Sequence, residues 1–344
     1  MQQFQFKILP LTMMKEDNSP IDIKKIRDIC MTGLDECPPE DRCIAWLLLS
    51  NVFPKNPGKW VEYREKMVNT YKNLIKIFKL EGYEDKIIPN TTLHYTFQLD
   101  DSQLMDLIHI DMVRTAHHLI FLPYPDYSVT NLDQKDYLLP YHVHMRRIER
   151  ILYMFAKMNS TLSYLQGFNE LITVIFYVML SALVYFGNDW LEVEAFSFYI
   201  FQEIFSTTRL IDLFSLQDQL DLINDRLDSF MKILERHLPK AYKIIKNLGI
   251  HPLCFVFKWL NLLFAQDHLM PNLLLIWDDL FSHFEDILVF EYYIAVANIS
   301  LVEKDLDPNN YSSTLSVLQK TEINDIKLLL RIANQFWKQD HGEG

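Results

Sequence analysis

One stretch of the sequence, residues 171–186, is almost continuously apolar and constrains the fold more than any other feature. Its exceptions include Thr173, Tyr177 and Ser181, and its sixteen residues fall short of the roughly 20 that an α-helix needs to cross a bilayer. A helix that is apolar on every side has to be covered on every side, because a surface helix keeps one polar face. The run therefore favours a buried helix in a large core over a membrane span.

Elsewhere the apolar residues recur at the spacing of helices, and no segment alternates strongly in the manner of a strand. The clearest helical stripe consists of Ile148, Ile151, Leu152, Phe155 and Met158. The chain has only 8 glycines in 344 residues, whereas all-β and Rossmann-type proteins need glycine for turns and phosphate loops. The sequence predicts an all-α protein with an N-terminal tail over 1–24 and two helical lobes, at about 25–205 and 206–340.

Proline, glycine and capping signals place the ends of the predicted helices. Pro239, Pro252 and Pro271 stand at favoured first positions of helices, and Asp100, Asp101 and Ser102 together form an N-cap signal. The predicted helices cover residues 21–31, 40–50, 60–79, 104–118, 136–158, a buried segment that begins near Tyr164 with Ser163 as its cap, and then 190–206, 210–237, 240–247, 253–265, 272–282, 285–301 and 320–338.

The charge balance and the cysteines exclude several classes of protein. A formal net charge of −12 argues against a nucleic-acid-binding protein, because neutralisation of phosphates dominates that kind of affinity. A local basic patch at Arg146, Arg147 and Arg150 stays open. The four cysteines include no CxxC pair, so they do not indicate a zinc site. So few cysteines, without a recognisable secretory leader, predict a cytoplasmic protein with reduced thiols.

Familiar catalytic motifs are missing from the sequence. It has no GxxxxGK[ST], GxGxxG, HExxH or GxSxG pattern, so we do not expect it to bind a nucleotide through a phosphate loop of its own. The close histidine pairs are His117–His118 and His142 with His144. We assign them to the polar surface or to helix caps and predict no metal site, because adjacent residues of a helix point in different directions.

Three patches of the sequence stand out together: residues 108–115, residues 164–171, and a late one that runs from 257–259 to 276–278. Asp111 and Arg114 belong to the first. They stand at positions i and i+3 of a predicted helix, so the carboxylate can hold the guanidinium group. Read alone, the pair is also consistent with an ordinary surface ion pair, which stabilises a protein by ~0–1 kcal/mol.

The second patch is the segment Tyr164, Gln166 and Gly167, which precedes the apolar run. A glycine inside a helix costs about 1 kcal/mol relative to alanine, so Gly167 makes sense where a backbone or a partner must come close. Gln166 would then stand near the mouth of the helix, outside the core. Read alone, the segment is also consistent with a simple capping turn.

Together the two patches resemble the TBC domain, the helical module of Rab GTPase-activating proteins. The IxxDxxRT motif of that family is matched by Ile108, Asp111, Arg114 and Thr115. Its YxQG motif, followed by an asparagine and an acidic residue, is matched by Tyr164, Gln166, Gly167, Asn169 and Glu170. The two motifs are separated by an interval that is normal for the family, and the resemblance runs from about residue 25 to residue 340.

The resemblance implies a two-lobed TBC fold and GTPase-activating activity toward a Rab-family small GTPase. In such activators an arginine and a glutamine are supplied in trans to the active site of the GTPase. Arg114 would be the arginine finger, Gln166 would be the glutamine finger, and Asp111 would orient Arg114. The residues expected to shape the surrounding groove are Tyr164, Gly167 and Asn169.

The implied partner is a Rab-family GTPase in its GTP form, which itself carries GTP and Mg²⁺. This chain would then need no cofactor or metal and would turn over no substrate alone. The resemblance places it in membrane trafficking and vesicle transport, in the cytoplasm, with endomembranes reached only through the lipidated GTPase. Two alternatives stay open: a catalytically silent TBC-like scaffold that binds a GTPase or another partner, and a free-standing hydrolase with an unrecognised carboxylate pair.

Further positions resemble the family at its two ends and are expected to be structural; they are Arg42, Trp46, Trp259, Trp277 and Asp278. Two departures lie in the predicted C-terminal lobe. Lys258 stands where the family usually has arginine, and Gln266–Asp267 replaces a Gln/Arg–Glu pair. Because lysine cannot reproduce a bidentate guanidinium contact, these departures bear on partner choice or local packing more than on the fingers.

Overall fold

The computed structural model describes residues 5–13, 19–85, 101–123, 138–160, 162–207, 210, 219–319, 323 and 325–342. These residues form α-helices and short 3₁₀ turns, and no strand occurs among them. The predicted all-α class is confirmed. Within the same ranges no helix combines the length and the apolar character that a membrane span requires.

The chain divides into two compact units, and the boundary passes through the second helix. The first unit consists of residues 1–26 and 36–206, and the second of residues 27–35 and 207–344. The sequence interpretation puts the change of lobe near residue 205 but assigns 27–35 to the first lobe. Local periodicity cannot show that a short early segment packs with the C-terminal half.

The helices of the first unit are amphipathic or wholly buried. They are α1 (Leu9–Thr12), α2 (Ile23–Cys30, which crosses the boundary), α3 (Pro39–Leu49), α4 (Trp60–Ile77), α5 (Ser102–Arg114), α6 (Ala116–Leu119), α7 (His142–Met158), α8 (Phe168–Ser181) and α9 (Trp190–Thr207). Helix α8 packs against α3, α5, α6 and α7, and α5 also packs against α7. Residues 171–181 of the apolar run thus form the centre of this unit, as the sequence predicts, whereas residues 182–186 lie in turns that leave Val184 74% exposed.

Helix α8 begins later than the sequence predicts. Its first residue is Phe168, and Gly167 precedes it with a left-handed backbone (φ 107°). The prediction of a start near Tyr164 with Ser163 as the cap is therefore wrong. A left-handed residue interrupts helical geometry, and glycine adopts it at the least cost. As a result, Tyr164 and Gln166 lie in the loop before the helix.

The predicted helix 104–118 is broken immediately after Arg114. Asp101 accepts a hydrogen bond from the Leu104 N–H at 3.0 Å, which confirms the N-cap. At the other end the Thr115 hydroxyl donates to the Asp111 carbonyl at 2.9 Å, and α6 starts only at Ala116. The Asn169 side chain also donates to the Asp111 carbonyl, at 3.3 Å. These side-chain donors hold the last turn of α5, whose Asp111 carbonyl also accepts the Thr115 N–H at 3.1 Å.

The N-terminal segment is more ordered than the predicted loose tail. The Asp41 carboxylate accepts hydrogen bonds from the backbone N–H groups of Lys7 (2.5 Å), Ile8 (3.0 Å) and Leu9 (2.8 Å). Ile8 is completely buried. One buried carboxylate at the start of α3 therefore fixes residues 7–9, an interaction that sequence periodicity does not reveal.

Two arginines of the possible basic patch are buried and paired with carboxylates. Arg150 contacts Glu194 at 2.6 and 2.7 Å, and Arg146 pairs with Glu149. Arg147 is partly buried and lies over the Trp190 ring at 4.6 Å. The prediction that His142 and His144 lie on the polar surface or cap a helix is also wrong, because both side chains are buried. Burial lowers the pKa of His144 to about 4. Neither set forms a basic surface.

The second unit consists of α10 (Gln219–His237), α11 (Pro239–Asn247), α12 (Phe257–Asn261), α13 (Asn272–Ser282), α14 (Ile287–Val302), α15 (Tyr311–Gln319) and α16 (Ile326–His341). The predicted helix 253–265 is much shorter, because Leu263 and Phe264 have positive φ angles. Trp277 Nε1–H donates to the carbonyl of Leu263 at 3.0 Å and so stabilises that turn. The sequence also missed α15, which is mostly polar and carries only two buried residues.

Candidate functional site

Arg114 is the last residue of α5, and its side chain is 65% exposed. Its Nη1 donates to Asp111 Oδ1 at 3.2 Å, so the predicted i,i+3 contact is confirmed. An ion pair with one partner this exposed stabilises the protein by at most about 1 kcal/mol. The guanidinium group is therefore accessible to another molecule while Asp111 holds it at the end of α5.

Asp111 is buried and connects α5 to the loop before α8. While Oδ1 contacts Arg114, Oδ2 accepts a hydrogen bond from the Tyr164 hydroxyl at 2.9 Å. Burial, the Asp111 charge and this hydrogen bond raise the pKa of Tyr164 well above its ordinary value. The phenol therefore stays protonated and acts as a permanent donor to the carboxylate that holds the arginine.

Asn169, in the first turn of α8, holds the same two segments together from the other side. Its Nδ2 donates to Thr115 Oγ1 at 2.7 Å and to the Asp111 carbonyl at 3.3 Å. Its Oδ1 accepts from the Gly167 N–H at 3.0 Å. One buried amide thus uses both its donors and its acceptor to join the end of α5 to the glycine before α8.

Gln166 precedes this glycine and is exposed. The loop is held two residues before Gln166, where the Tyr164 hydroxyl bonds to Asp111, and one residue after it, where the Gly167 N–H bonds to Asn169. An exposed amide on a fixed loop can both donate and accept a hydrogen bond toward a partner. The structure therefore presents Arg114 and Gln166 as solvent-facing side chains on two segments that Asp111 and Asn169 join.

The structure places two of the residues predicted to shape the groove just beneath the surface. Tyr164 and Asn169 are 5% and 4% exposed, so they brace the two segments from behind the surface. Thr115 has no assigned role in the sequence interpretation, yet its buried hydroxyl donates to Asp111 and accepts from Asn169. Its place next to Arg114 in the first motif is the signal that could have identified it.

A buried charge cluster between α5 and α7 fixes the orientation of α5. His109 Nδ1 lies 2.8 Å from Glu149 Oε1 on α7, and Glu149 Oε2 accepts from the Tyr83 hydroxyl at 2.8 Å and also contacts Arg146. Burial alone would raise the pKa of Glu149, but Arg146, His109 and Tyr83 together hold that pKa below its ordinary value. The carboxylate stays charged and binds α5 to α7 two residues before Asp111.

The start of α8 is held by aromatic packing. Phe168 contacts Phe205 with ring centroids 4.7 Å apart, and Phe155 and Phe201 each at 5.9 Å. Such pairs add about 0.5–1.5 kcal/mol each beyond the burial of their surface. Because Phe168 directly follows Gly167, this cluster fixes the backbone from which Gln166 projects.

The remaining motif residues lie in the cores of the two units. Trp46, Trp259 and Trp277 are at most 1% exposed, and in the second unit Asp278 accepts the Leu34 N–H at 3.1 Å. Arg42 is half-buried. The two departures from the family pattern contact each other, since Lys258 Nζ pairs with Asp267 Oδ1.

Comparison with known proteins was consistent across sequence and structure. The family model described as Rab-GTPase-TBC domain matches residues 41–306. TBC1 domain family member 13 from Homo sapiens is 22% identical, over 92% of this chain and 94% of its own length; the motif interval and the Asn169–Glu170 pair also resemble that member. GTPase-activating protein GYP1 from Saccharomyces cerevisiae is 22% identical, over 78% of this chain and 38% of its own length.

Solved structures show the same fold. The Ypt/Rab-GAP domain of Gyp1p matches with a TM-score of 0.70 and 19% identity, covering 97% of this chain and 98% of that one. A flagellar RabGAP TBC domain from Chlamydomonas matches with a TM-score of 0.53 and 14% identity, covering 92% and 86% of the two chains.

Proposed function

The chain belongs to the Rab-GTPase-TBC domain family, and from this premise we propose that it accelerates GTP hydrolysis by a Rab-family small GTPase through Arg114 and Gln166. The observation that supports the proposal is the set of hydrogen bonds that joins their two segments. The Asp111 carboxylate contacts both Arg114 and Tyr164. Asn169 bonds to both Thr115 and Gly167. The relative named GYP1 is a GTPase-activating protein, which agrees with the proposed activity.

Arg114 supplies charge to the transition state of phosphoryl transfer. Hydrolysis of GTP builds negative charge on the oxygens of the transferred phosphoryl group and of the leaving group, and a guanidinium group offers planar donors that are always charged. An arginine inserted in trans accelerates such reactions by ~10³–10⁵. At about 1.36 kcal/mol for each factor of ten, this equals roughly 4–7 kcal/mol of transition-state stabilisation.

Gln166 orients the attacking water. Its carbonyl oxygen accepts a hydrogen bond from the water while its amide N–H₂ donates to phosphate, so a single side chain fixes the line of attack. This role requires an exposed side chain on a backbone that does not move. The hydrogen bond from Gly167 to Asn169 and the burial of Phe168 hold that backbone.

The buried residues around the fingers preorganise them. Asp111 keeps Arg114 extended from the end of α5, Tyr164 keeps Asp111 in place, and Thr115 with Asn169 fixes the turn between α5 and α6. These groups act as positioning residues, since they are covered and cannot touch the nucleotide. Preorganised donors stabilise a transition state well because little has to rearrange at the moment of reaction.

The partner brings the rest of the chemistry. A Rab protein in its GTP form carries the nucleotide and Mg²⁺, so this chain contributes side chains in trans and has no turnover by itself. We place its action in the cytoplasm, in membrane trafficking and vesicle transport, with endomembranes reached only through the lipidated GTPase.

Single-turnover GTP hydrolysis by a panel of Rab proteins tests the proposal. We expect strong acceleration of one or a few Rabs, and a loss of about 10³-fold or more in Arg114→Ala. Gln166→Ala should also abolish most of the acceleration. Matched controls are Arg331→Ala and Gln339→Ala, which change exposed residues of the same types on α16 of the second unit. If a folded wild-type chain binds a Rab but does not accelerate GTP hydrolysis, the chain is a scaffold and not an activator.

A further inference from the structure

Two successive histidines of α6 approach the same carboxylate oxygen. His117 Nε2 lies 3.3 Å from Glu170 Oε2, and His118 Nε2 lies 3.6 Å from it. The ring centroids of the two histidines are 4.3 Å apart, with planes inclined by 45°. One nitrogen from each ring and one oxygen of Glu170 all lie within 4.8 Å of one another.

The local backbone explains why these neighbours converge. Helix α6 has only four residues and follows the break at Thr115, and Glu170 stands in the first turn of α8, against which α6 packs. The two rings lean toward this carboxylate from one side. The expectation that adjacent histidines diverge on a long helix therefore does not apply here.

We propose that His117, His118 and Glu170 form a binding site for a divalent transition-metal ion of the zinc class. Two imidazole nitrogens and one carboxylate oxygen are a ligand set that zinc accepts, with a fourth position open to water. Ligands about 2.0–2.1 Å from a tetrahedral ion stand roughly 3.3–3.4 Å apart. The two measured distances to Glu170 Oε2 are close to this spacing, so a small movement of the rings would complete the site.

The burial of these side chains favours an ion that they bind directly over an ion that keeps its shell of water. The His118 side chain is fully covered and that of Glu170 is 6% exposed, whereas that of His117 is 38% exposed. Two ligands are therefore held in place by packing, and the third gives an ion access from solvent. His117 also hydrogen-bonds to the backbone of Arg114. Contacts of this kind orient metal-binding histidines in proteins.

Magnesium and calcium are not expected at this site. Both prefer sets of oxygen ligands, and calcium takes 6–8 of them. A ligand set of two nitrogens and one oxygen instead favours zinc, cobalt, nickel or copper. The inference concerns binding alone and stands independently of the proposed GTPase activation.

Titration with Zn²⁺ and Co²⁺ tests the site. The chain is first treated with a chelator in a Cys254→Ser background, because Cys254 is an exposed free thiol that could compete for metal. We expect one equivalent of Zn²⁺ by calorimetry, and visible Co²⁺ absorption of the intensity typical of four-coordinate ions. The expected losses of affinity in His117→Ala and Glu170→Gln are on the order of 100-fold or more, since even changes to outer-shell partners cost 10–100-fold.

The control is His251→Ala, which removes an exposed histidine of the other unit and should leave the affinity unchanged. Circular dichroism checks that each variant is folded; His117→Ala alters a partly exposed side chain and keeps the test valid if Glu170→Gln unfolds. Absence of stoichiometric binding overturns the proposal, and so does binding that His117→Ala leaves unchanged or that His251→Ala weakens equally.

Discussion

In the first unit the buried carboxylate of Glu149 has several hydrogen-bond donors around it, whereas in the second unit the buried carboxyls of Asp279 and Glu291 have fewer. Glu149 contacts Arg146, His109 and Tyr83, and these groups hold its pKa below the ordinary value against the effect of burial. In the second unit burial raises the pKa of Asp279 to about 8, although Asn334 and Ser282 donate to it.

Glu291 shows that pairing with one cation does not by itself cancel the rise in pKa that burial causes. It pairs with Arg226, yet burial still raises its pKa to about 8. In Glu149 the charge of Arg146 and the donors His109 and Tyr83 together outweigh burial, whereas in Asp279 and Glu291 burial outweighs the groups that lower the pKa. In the first unit this charge binds α5, the helix that ends in Arg114, to α7.

Removal of a large aromatic side chain from either unit gives the largest expected change in stability. We expect Phe168→Ala and Trp277→Ala each to lower the free energy of unfolding by about 3–5 kcal/mol, because both side chains are fully buried. Only Phe168→Ala should lower GTPase activation per folded molecule, since Phe168 fixes the loop that carries Gln166. Urea denaturation and hydrolysis assays measure both quantities, with Phe168→Leu as the milder variant. Equal activity losses would contradict this division between the units.

Glu149→Gln tests the charged frame of the first unit. The neutral amide leaves the Arg146 guanidinium buried without its carboxylate, which should cost about 3–5 kcal/mol. Glu192→Gln is the control in the same unit, because its partner Arg64 is 25% exposed and the expected loss is smaller. Denaturation at pH 7 compares the two variants, and similar small losses would show that the buried cluster is not a structural frame.

Asp279→Asn tests the second unit through its dependence on pH. The pKa of Asp279 is raised from its ordinary value of 3.8 to about 8, so the folded state holds a proton that the unfolded state has lost. Stability should therefore fall as pH rises from about 5 to 8, by up to about 1.4 kcal/mol per pH unit for one such carboxyl. The variant should reduce this fall, leaving the part due to Glu291. Denaturation at pH 5.5 and 8 gives the result, and an unchanged slope would contradict the assignment.

The two units should also respond oppositely to acid. The lowered pKa of Glu149 means that its stabilising charge is present above its ordinary pKa of 4.5 and is lost as pH falls through the folded value. Hydrogen exchange of peptides around α5 and α7 should accelerate before that of α13 on acidification. If hydrogen exchange accelerates in α13 before it does in α5 and α7 on acidification, this expected difference between the units is wrong.

Lys258→Arg is expected to have the smallest effect. The Lys258 side chain is 46% exposed and pairs with Asp267, so its contribution to stability is at most about 1 kcal/mol. Restoration of the residue usual in the family should change activation by no more than a few-fold. A large gain in hydrolysis rate would show that the lysine limits the activity of this chain.

The sequence predicted those features that depend on nearby residues. The first eleven residues of the apolar run, 171–181, lie in the buried helix, and the spacing of Asp111 and Arg114 predicted a contact that the structure has at 3.2 Å. Helix 272–282 has the predicted limits, and its start signal, Pro271, directly precedes it. The family motifs identified Gln166 together with its neighbours, but their roles stay predictions.

The remaining features depend on residues that are distant in the chain. The last turn of α5 is held partly by Asn169, which donates to the Asp111 carbonyl from 58 positions away. Arg150 is buried because Glu194 lies opposite it, and no local pattern announces that partner. The convergence of His117 and His118 likewise requires Glu170, which α8 brings from a separate segment.

We expect Arg114 to stabilise the transition state of hydrolysis and not the bound GTP state. The most direct test of this claim compares the affinity of wild type and Arg114→Ala for the activated Rab in two forms: one loaded with a non-hydrolysable GTP analogue, the other with GDP and aluminium fluoride as a mimic of the transition state. We predict that the variant weakens binding to the mimic by about 10³-fold while binding to the analogue stays within a few-fold. Equal losses in both forms, or no loss in either, would contradict the claim.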